Sequence, residues 1–361
     1  MLHAMLPATP NPPLDLMGIV SRHSGLNAAQ IDEAASLVEL QRVAERIDTL
    51  IVLLQRGGVK VDLIAGLVSE LNARLFARAW SLIAPADLVA NGCLIVMGSE
   101  GRGEQILKTD QDNALLLRDG FLHDGVQQVT ARFSAALTDF GYPRCPGNIM
   151  LSNPLWCQPL LSFKQSLRRW MFDGEADGAM NLAIFLDAAA VAGNASLLLQ
   201  ARRFVDEFGV DNDAFFARFA SAVDQFGEPD GWWTRLTHVR DPDEAVIDLK
   251  KLGTFPIVHG VRSLALQHHV SELGTAARLQ ALADRQQLPA PMARDLTEAL
   301  HFLMALKLDN NLRQRGAGLA TDNLVHLSTL STLEGERLKD TLAIVKRFRQ
   351  HLHQHFRLDS L

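Results

Sequence analysis

Apolar positions fall into two textures along the chain. From Asn27 they recur at helical spacing: Val43, Ile47, Leu50 and Leu54 share one stripe, which Gly57-Gly58 ends. Val61, Ile64, Val68, Leu71 and Leu75 repeat the spacing in a second stripe before Pro85. Each stripe buries one face of a helix, so the pair predicts a helical hairpin that needs a partner surface. The texture changes at Cys93-Leu94-Ile95-Val96-Met97, an unbroken apolar run ending at Gly98-Ser99, and again at Asn113-Ala114-Leu115-Leu116-Leu117. Short continuous apolar runs closed by turn residues read as buried strands. Val126 to Phe140 predicts a helix closed by Gly141. Asn148-Ile149-Met150-Leu151 predicts a third strand, between Pro146-Gly147 and Asn153-Pro154. From Phe163 helical spacing dominates, with breaks at Gly227-Glu228-Pro229, Asp241-Pro242 and Pro289-Ala290-Pro291. Leu338, Leu342, Val345, Phe348 and Leu352 mark a last long helix. The expected layout is a lead over 1–26, a helical arm over 27–88, a small α/β core over 89–162 and a helical region over 163–361. The class is α+β, mostly helical.

Composition narrows this picture. A chain of 361 residues, 48% hydrophobic and 21% charged, can bury more than one core. Its 35 basic and 41 acidic residues leave a net charge of −6, with both signs interspersed. No basic track follows a phosphate backbone, so extended nucleic-acid binding is not expected and only a local anion pocket remains open. Three cysteines, Cys93, Cys145 and Cys157, have no paired spacing and fit a reducing cytoplasm rather than disulfides or structural zinc. Met1 to Pro13 lacks the basic-then-apolar order of a signal peptide. Ala179 to Ala201 carries one charge, Asp187, but Gly193-Asn194 interrupts it. It falls short of the ~18 uncharged residues a membrane span requires.

The candidate chemistry lies in Gly98-Ser99-Glu100-Gly101-Arg102-Gly103-Glu104-Gln105, continuing to Lys108-Thr109-Asp110-Gln111-Asp112-Asn113. Leu107 stands where a Walker A loop needs glycine, and Ser99 follows Gly98 too closely for a nucleophile elbow. What remains is a glycine-rich turn after a strand, then two carboxylates at the head of the next strand. Alternate strand residues share a face, so Asp110 and Asp112 converge. Carboxylates held that close raise each other's pKa unless a cation sits between them. Mg²⁺ takes a few carboxylates and completes its shell with phosphate oxygens. Backbone N–H groups around Gly98 and Ser99 can cradle phosphates, with Arg102 and Lys108 to neutralise them.

Gly98-Ser99 with Asp110-x-Asp112 resembles the motif of the DNA polymerase β-type nucleotidyltransferase superfamily. The longer string GSEGRGEQILKTDQDNALLL resembles the nucleotidyltransferases related to bacterial PII-protein uridylyltransferase and glutamine synthetase adenylyltransferase. Gly141 to Gly147 and Met150 to Trp156 look like that family's next block. Asp248-Leu249-Lys250-Lys251, Pro256-Ile257-Val258, Arg262 and Asp322-Asn323 look like its helical C-terminal domain. The resemblance implies a nucleotidyltransferase core between helical flanks, passing a nucleoside monophosphate from NTP to an acceptor hydroxyl, with a signalling protein as acceptor. It implies Mg²⁺ or Mn²⁺ on Asp110 and Asp112, and phosphates at Gly98 and Ser99.

The superfamily also uses a third carboxylate on a following strand. Asn148 stands at its expected place, and Asp187 is the other candidate. With Asn148 there, the alternative reading is a nucleotide-binding regulator with weak or no transfer activity. A small-molecule nucleotidyltransferase is a third. Among other polar groups, His351, His353 and His355 fit a solvated C-terminal stretch better than a metal cluster, because no acid or cysteine completes the set. Trp232-Trp233, His238 and His268-His269 read as packing or surface residues, and Tyr142 as a turn residue.

Overall fold

The computed structural model describes residues 28–175, 177–208, 212–225 and 246–360. Helices α1 (Ala28–Glu33), α2 (Leu37–Arg56), α3 (Val61–Ile83) and α4 (Ala86–Asn91) form the arm. Ser36 opens α2 by accepting the Glu39 N–H, and the expected stripes, Val43 to Leu54 and Val61 to Leu75, face inward. Next come β1 (Gly92–Val96), a single turn α5 (Gly98–Gly101), β2 (Asn113–Leu117), α6 (Val126–Asp139), β3 (Cys157–Pro159), α7 (Leu160–Phe172), α8 (Gly178–Phe185) and β4 (Ala189–Gly193). The four strands make one sheet in the order β3-β2-β1-β4. β1 runs antiparallel to both β2 and β4, while β3 lies parallel to β2.

The unbroken apolar runs are explained by burial on both faces of this sheet. Cys93, Ile95, Met97, Ala114 and Leu116 join a core with the C-terminal helices, whereas Leu94, Val96, Leu115 and Leu117 join a second core with α2, α3 and α6. The rest of the chain is helical: α9 (Ser196–Phe208), α10 (Asp213–Ala220), α11 (Phe255–Gln267), α12 (Thr275–Asp284), α13 (Ala290–Gly316) and α14 (Thr332–Phe356). A two-stranded ribbon, β5 (Val246–Asp248) with β6 (Leu324–His326), ties the start of α11 to the end of α13.

The structure changes three expectations. Residues 148–151 form no strand; they lie as a loop along the head of β2, where Asn113 exchanges bonds with the Ile149 carbonyl and the Leu151 N–H. The sheet instead takes its outer strands from Cys157–Pro159 and from Ala189–Gly193, the latter inside the stretch expected to be helical. The C-terminal histidines sit on a packed helix: Leu352 and Phe356 are buried, His351 faces His355, and His355 faces His268. His353 bridges Asp224 and Asp359. Trp232-Trp233 and His238 lie outside the described residues. Among those described, no helix is long and apolar enough to cross a membrane.

Candidate active site

Strand register builds the site. Pairing of Val96 with Asn113 sets the end of β1 against the start of β2, and the Met97 N–H donates to the Asp112 carbonyl at 2.8 Å. The chain must then turn sharply, and Gly98 does so at φ +59°. A Cβ there would stand 2.7 Å from Asp112 Oδ2, so only glycine lets the turn sit this close to the carboxylate. The first N–H groups of a helical turn have no acceptor within it, and Gly98 sets that turn against Asp112. The Ser99 carbonyl closes the loop by accepting from Glu104 (2.8 Å) and Gln105 (3.1 Å).

Asp110-Gln111-Asp112 is extended, and its side chains alternate as a strand demands. Gln111 points the other way, donating to the Ser134 carbonyl, Thr138 Oγ1 and the Tyr142 carbonyl. Asp110 and Asp112 meet Cys145, with one ligand atom of each residue within 4.8 Å of the others. Burial, then the charge of Asp110, push Asp112 up to about 7. The Cys145 thiol is pushed up to about 12, chiefly by burial, so it stays neutral and donates to Asp112. The two carboxylates form an oxygen-donor pair that fits Mg²⁺ or Mn²⁺.

Residues 45–177 match the family described as "Putative nucleotidyltransferase DUF294", and residues 213–356 match "Putative nucleotidyltransferase substrate binding domain". The chain belongs to this nucleotidyltransferase family. No curated protein matches it. The glycine turn, both aspartates and Cys145 fall in the first segment, and the second supplies α11 to α14.

The other expected nucleotidyltransferase residues are placed differently. Lys108 turns into the arm, donating to the Ala44 carbonyl (2.9 Å) and Asp48 Oδ2 (2.7 Å). Arg102 pairs with Glu104 and with Asp187, each at 2.6 Å. Asp187 is fully buried and also takes Arg262, and Arg278 at 2.9 Å. Burial alone would raise its pKa, but Arg262, Arg102 and Arg278 hold it well below the usual carboxylate range. With both oxygens engaged by guanidiniums, Asp187 cannot serve as a base. Asn148 is exposed at φ 54°, in the turn that follows Cys145.

Three groups near the carboxylates were given no role at the site from the sequence, although Lys250 lies in the stretch that resembles the family's C-terminal domain. Glu100 is buried within the glycine turn; burial, then Asp112, push it up to about 8, and its Oε1 has no hydrogen-bond partner. Lys250 and Lys307 of the C-terminal domain complete the electrostatic surroundings, Lys250 acting on Asp112 and Asp110 on Lys307. Glu100 carried a local signal, as the one acid inside Gly98-Ser99-x-Gly101. Lys250 belongs to the Asp248–Lys251 stretch of the resemblance, and Lys307 carried no signal.

Proposed function

We propose that this nucleotidyltransferase moves a nucleoside monophosphate from an NTP to a hydroxyl of a protein acceptor in a signalling pathway. The convergence of Asp110 and Asp112 against the Gly98 turn is the observation that carries the reading. A divalent cation on the two carboxylates would supply the charge that stabilises the α-phosphate and the departing pyrophosphate. Asp110 and Asp112 orient the substrate through that pair, and the Cys145 S–H fixes the rotamer of Asp112. Gly98 and Ser99 bind phosphate oxygens through N–H groups that need no reorganisation. Gln111 holds the segment from its far face. The protein acceptor is supported by the resemblance to PII-protein uridylyltransferase and by the substrate-binding description of residues 213–356.

Labelled NTPs incubated with the protein, a cell lysate and Mg²⁺ or Mn²⁺ test this. A labelled protein band that EDTA abolishes is the expected result, and a labelled metabolite would instead mark a small acceptor. Asn148 favours a second reading, a nucleotide-binding regulator with little transfer. If Asn148 stands for the third carboxylate, its amide cannot act as a base, and general-base assistance is worth ~10²–10⁴-fold. NTP binding without label transfer, gained in Asn148→Asp, would select that reading.

A further inference from the structure

The turn that carries Gly98 and Ser99 is held from behind by two residues of its own loop. The Gly98 carbonyl accepts from the Arg102 N–H (3.2 Å), and the Ser99 carbonyl from the Glu104 N–H (2.8 Å). The side chains of the same two residues reach out of the loop. Arg102 Nε donates to Glu104 Oε2, and its Nη1 to Asp187 Oδ2. Glu104 Oε1 accepts the Thr275 N–H at 2.7 Å, from a residue 171 positions away. Thr275 opens α12, and an N–H in the first turn has no acceptor inside its own helix. A carboxylate there satisfies that donor and meets the positive end of the helix. The helix start also presses on the loop backbone, since a Cβ on Gly274 would stand 3.3 Å from the Arg102 carbonyl. Thr275 is fully buried, and the Arg102 and Glu104 side chains are only 11% and 13% exposed, so little water competes for these bonds.

Three glycines between positions 98 and 103 give the loop little stiffness of its own. Backbone donors help bind and activate a phosphate only when their direction is fixed before the ligand arrives. That stiffness has to come from outside the loop, and α12, packed against α11 and α13, is a rigid support for it. We infer that Glu104 is a positioning residue: it joins the Gly98-Ser99 turn to α12, so that the C-terminal domain sets the angle at which the turn meets the nucleotide. The inference rests on the nucleotide reading above and gives Glu104 no contact with substrate. It makes the domain described as substrate-binding a structural part of the nucleotide site.

Titration calorimetry of the full chain with Mg²⁺ and UTP, then ATP, tests it, at a temperature well below the unfolding midpoint of every variant. Glu104→Ala removes the whole joint, whereas Thr275→Pro removes only the N–H that Glu104 accepts. Proline suits the first position of a helix, and Gly274 at ψ 140° suits the residue before it. Each variant should weaken NTP binding about tenfold, the worth of one charge-assisted bond to phosphate. The double variant should bind no more weakly than the worse single one, because both substitutions cut the same joint. Losses that multiply to about a hundredfold would show two separate effects and overturn the inference. Should Glu104→Ala misfold, Thr275→Pro alone decides, since it leaves every side chain of the loop in place. A lowered unfolding midpoint with wild-type NTP affinity would make the contact a matter of stability only, which overturns the inference and leaves the nucleotide reading standing. Absence of metal-dependent NTP binding in the wild type overturns both.

Discussion

Asp112 and Asp187 lie at the same end of the sheet on opposite flanks of β1, since Val96 pairs with Asn113 on one side and with Ala189 on the other. Both are withdrawn from solvent, yet their environments oppose each other. Asp187 meets three guanidiniums and is held ionised, joining the glycine loop through Arg102 to α11 through Arg262 and to α12 through Arg278. Asp112 meets a second carboxylate and a neutral thiol and is pushed toward protonation. Depth of burial therefore does not decide what an aspartate does here; the charge of its neighbours does. A compensated carboxylate serves as a joint, and an uncompensated one is poised for a cation.

The largest effect expected from this contrast is on stability. Asp187→Ala leaves buried guanidiniums unpaired and should cost about 3–5 kcal/mol in urea denaturation. A loss below about 1 kcal/mol would show that the joint does not matter, because that is the scale of a surface pair. Asp112→Asn should do the reverse, holding or raising stability as a repulsion disappears. The same Asp112→Asn, and Asp110→Asn, should lower label transfer by about 100-fold or more, because several kcal/mol of metal-borne stabilisation is lost. Wild-type transfer in either variant would remove the metal pair from the chemistry.

The next effect is on pH. Asp112 titrates near 7 when folded but near its ordinary 3.8 when unfolded, so folding takes up a proton between those values. Stability without metal should fall as the pH rises from about 4 to about 7, and Mg²⁺ should flatten the decline. Apparent Mg²⁺ affinity should drop about tenfold per unit below pH 7, as the proton competes for the carboxylate. Calorimetry across pH 5.5–8.5, about the range where Asp112 changes state, checks it; a flat profile would place the cation elsewhere. The smallest effect concerns Lys108→Met, which breaks the contact with Asp48. It should cost about 1 kcal/mol of stability and change NTP affinity less than about threefold.

Legibility in the sequence followed locality. β1, β2, the helical stripes and the Asp110/Asp112 pair are written in consecutive or alternating residues, and each stands where the pattern put it. β4 was hidden because Ala189-Ala190-Val191-Ala192 is rich in the strongest helix former, and only pairing to β1 makes it a strand. β3 is three residues, one of them proline, and carries almost no strand signal. Asp187 was visible as an acid, but its role depends on arginines 75 and 91 residues away, and no local pattern encodes such partners.

The origin of β4 has a practical consequence for anyone cutting this chain into pieces. The strand lies between the two family segments, which end at 177 and resume at 213. A fragment stopped at the first boundary would strip β4 from β1 and expose the backbone groups of Cys93 to Val96 along an apolar edge. Bare edges of that kind recruit other strands, so such a fragment should aggregate on expression. Extension through Gly193 restores the cover, yet Asp187 would then sit in the fragment without Arg262 and Arg278. The units that recur as separate family segments are thus not the units that can be purified separately, and binding work on this protein calls for the uncut chain.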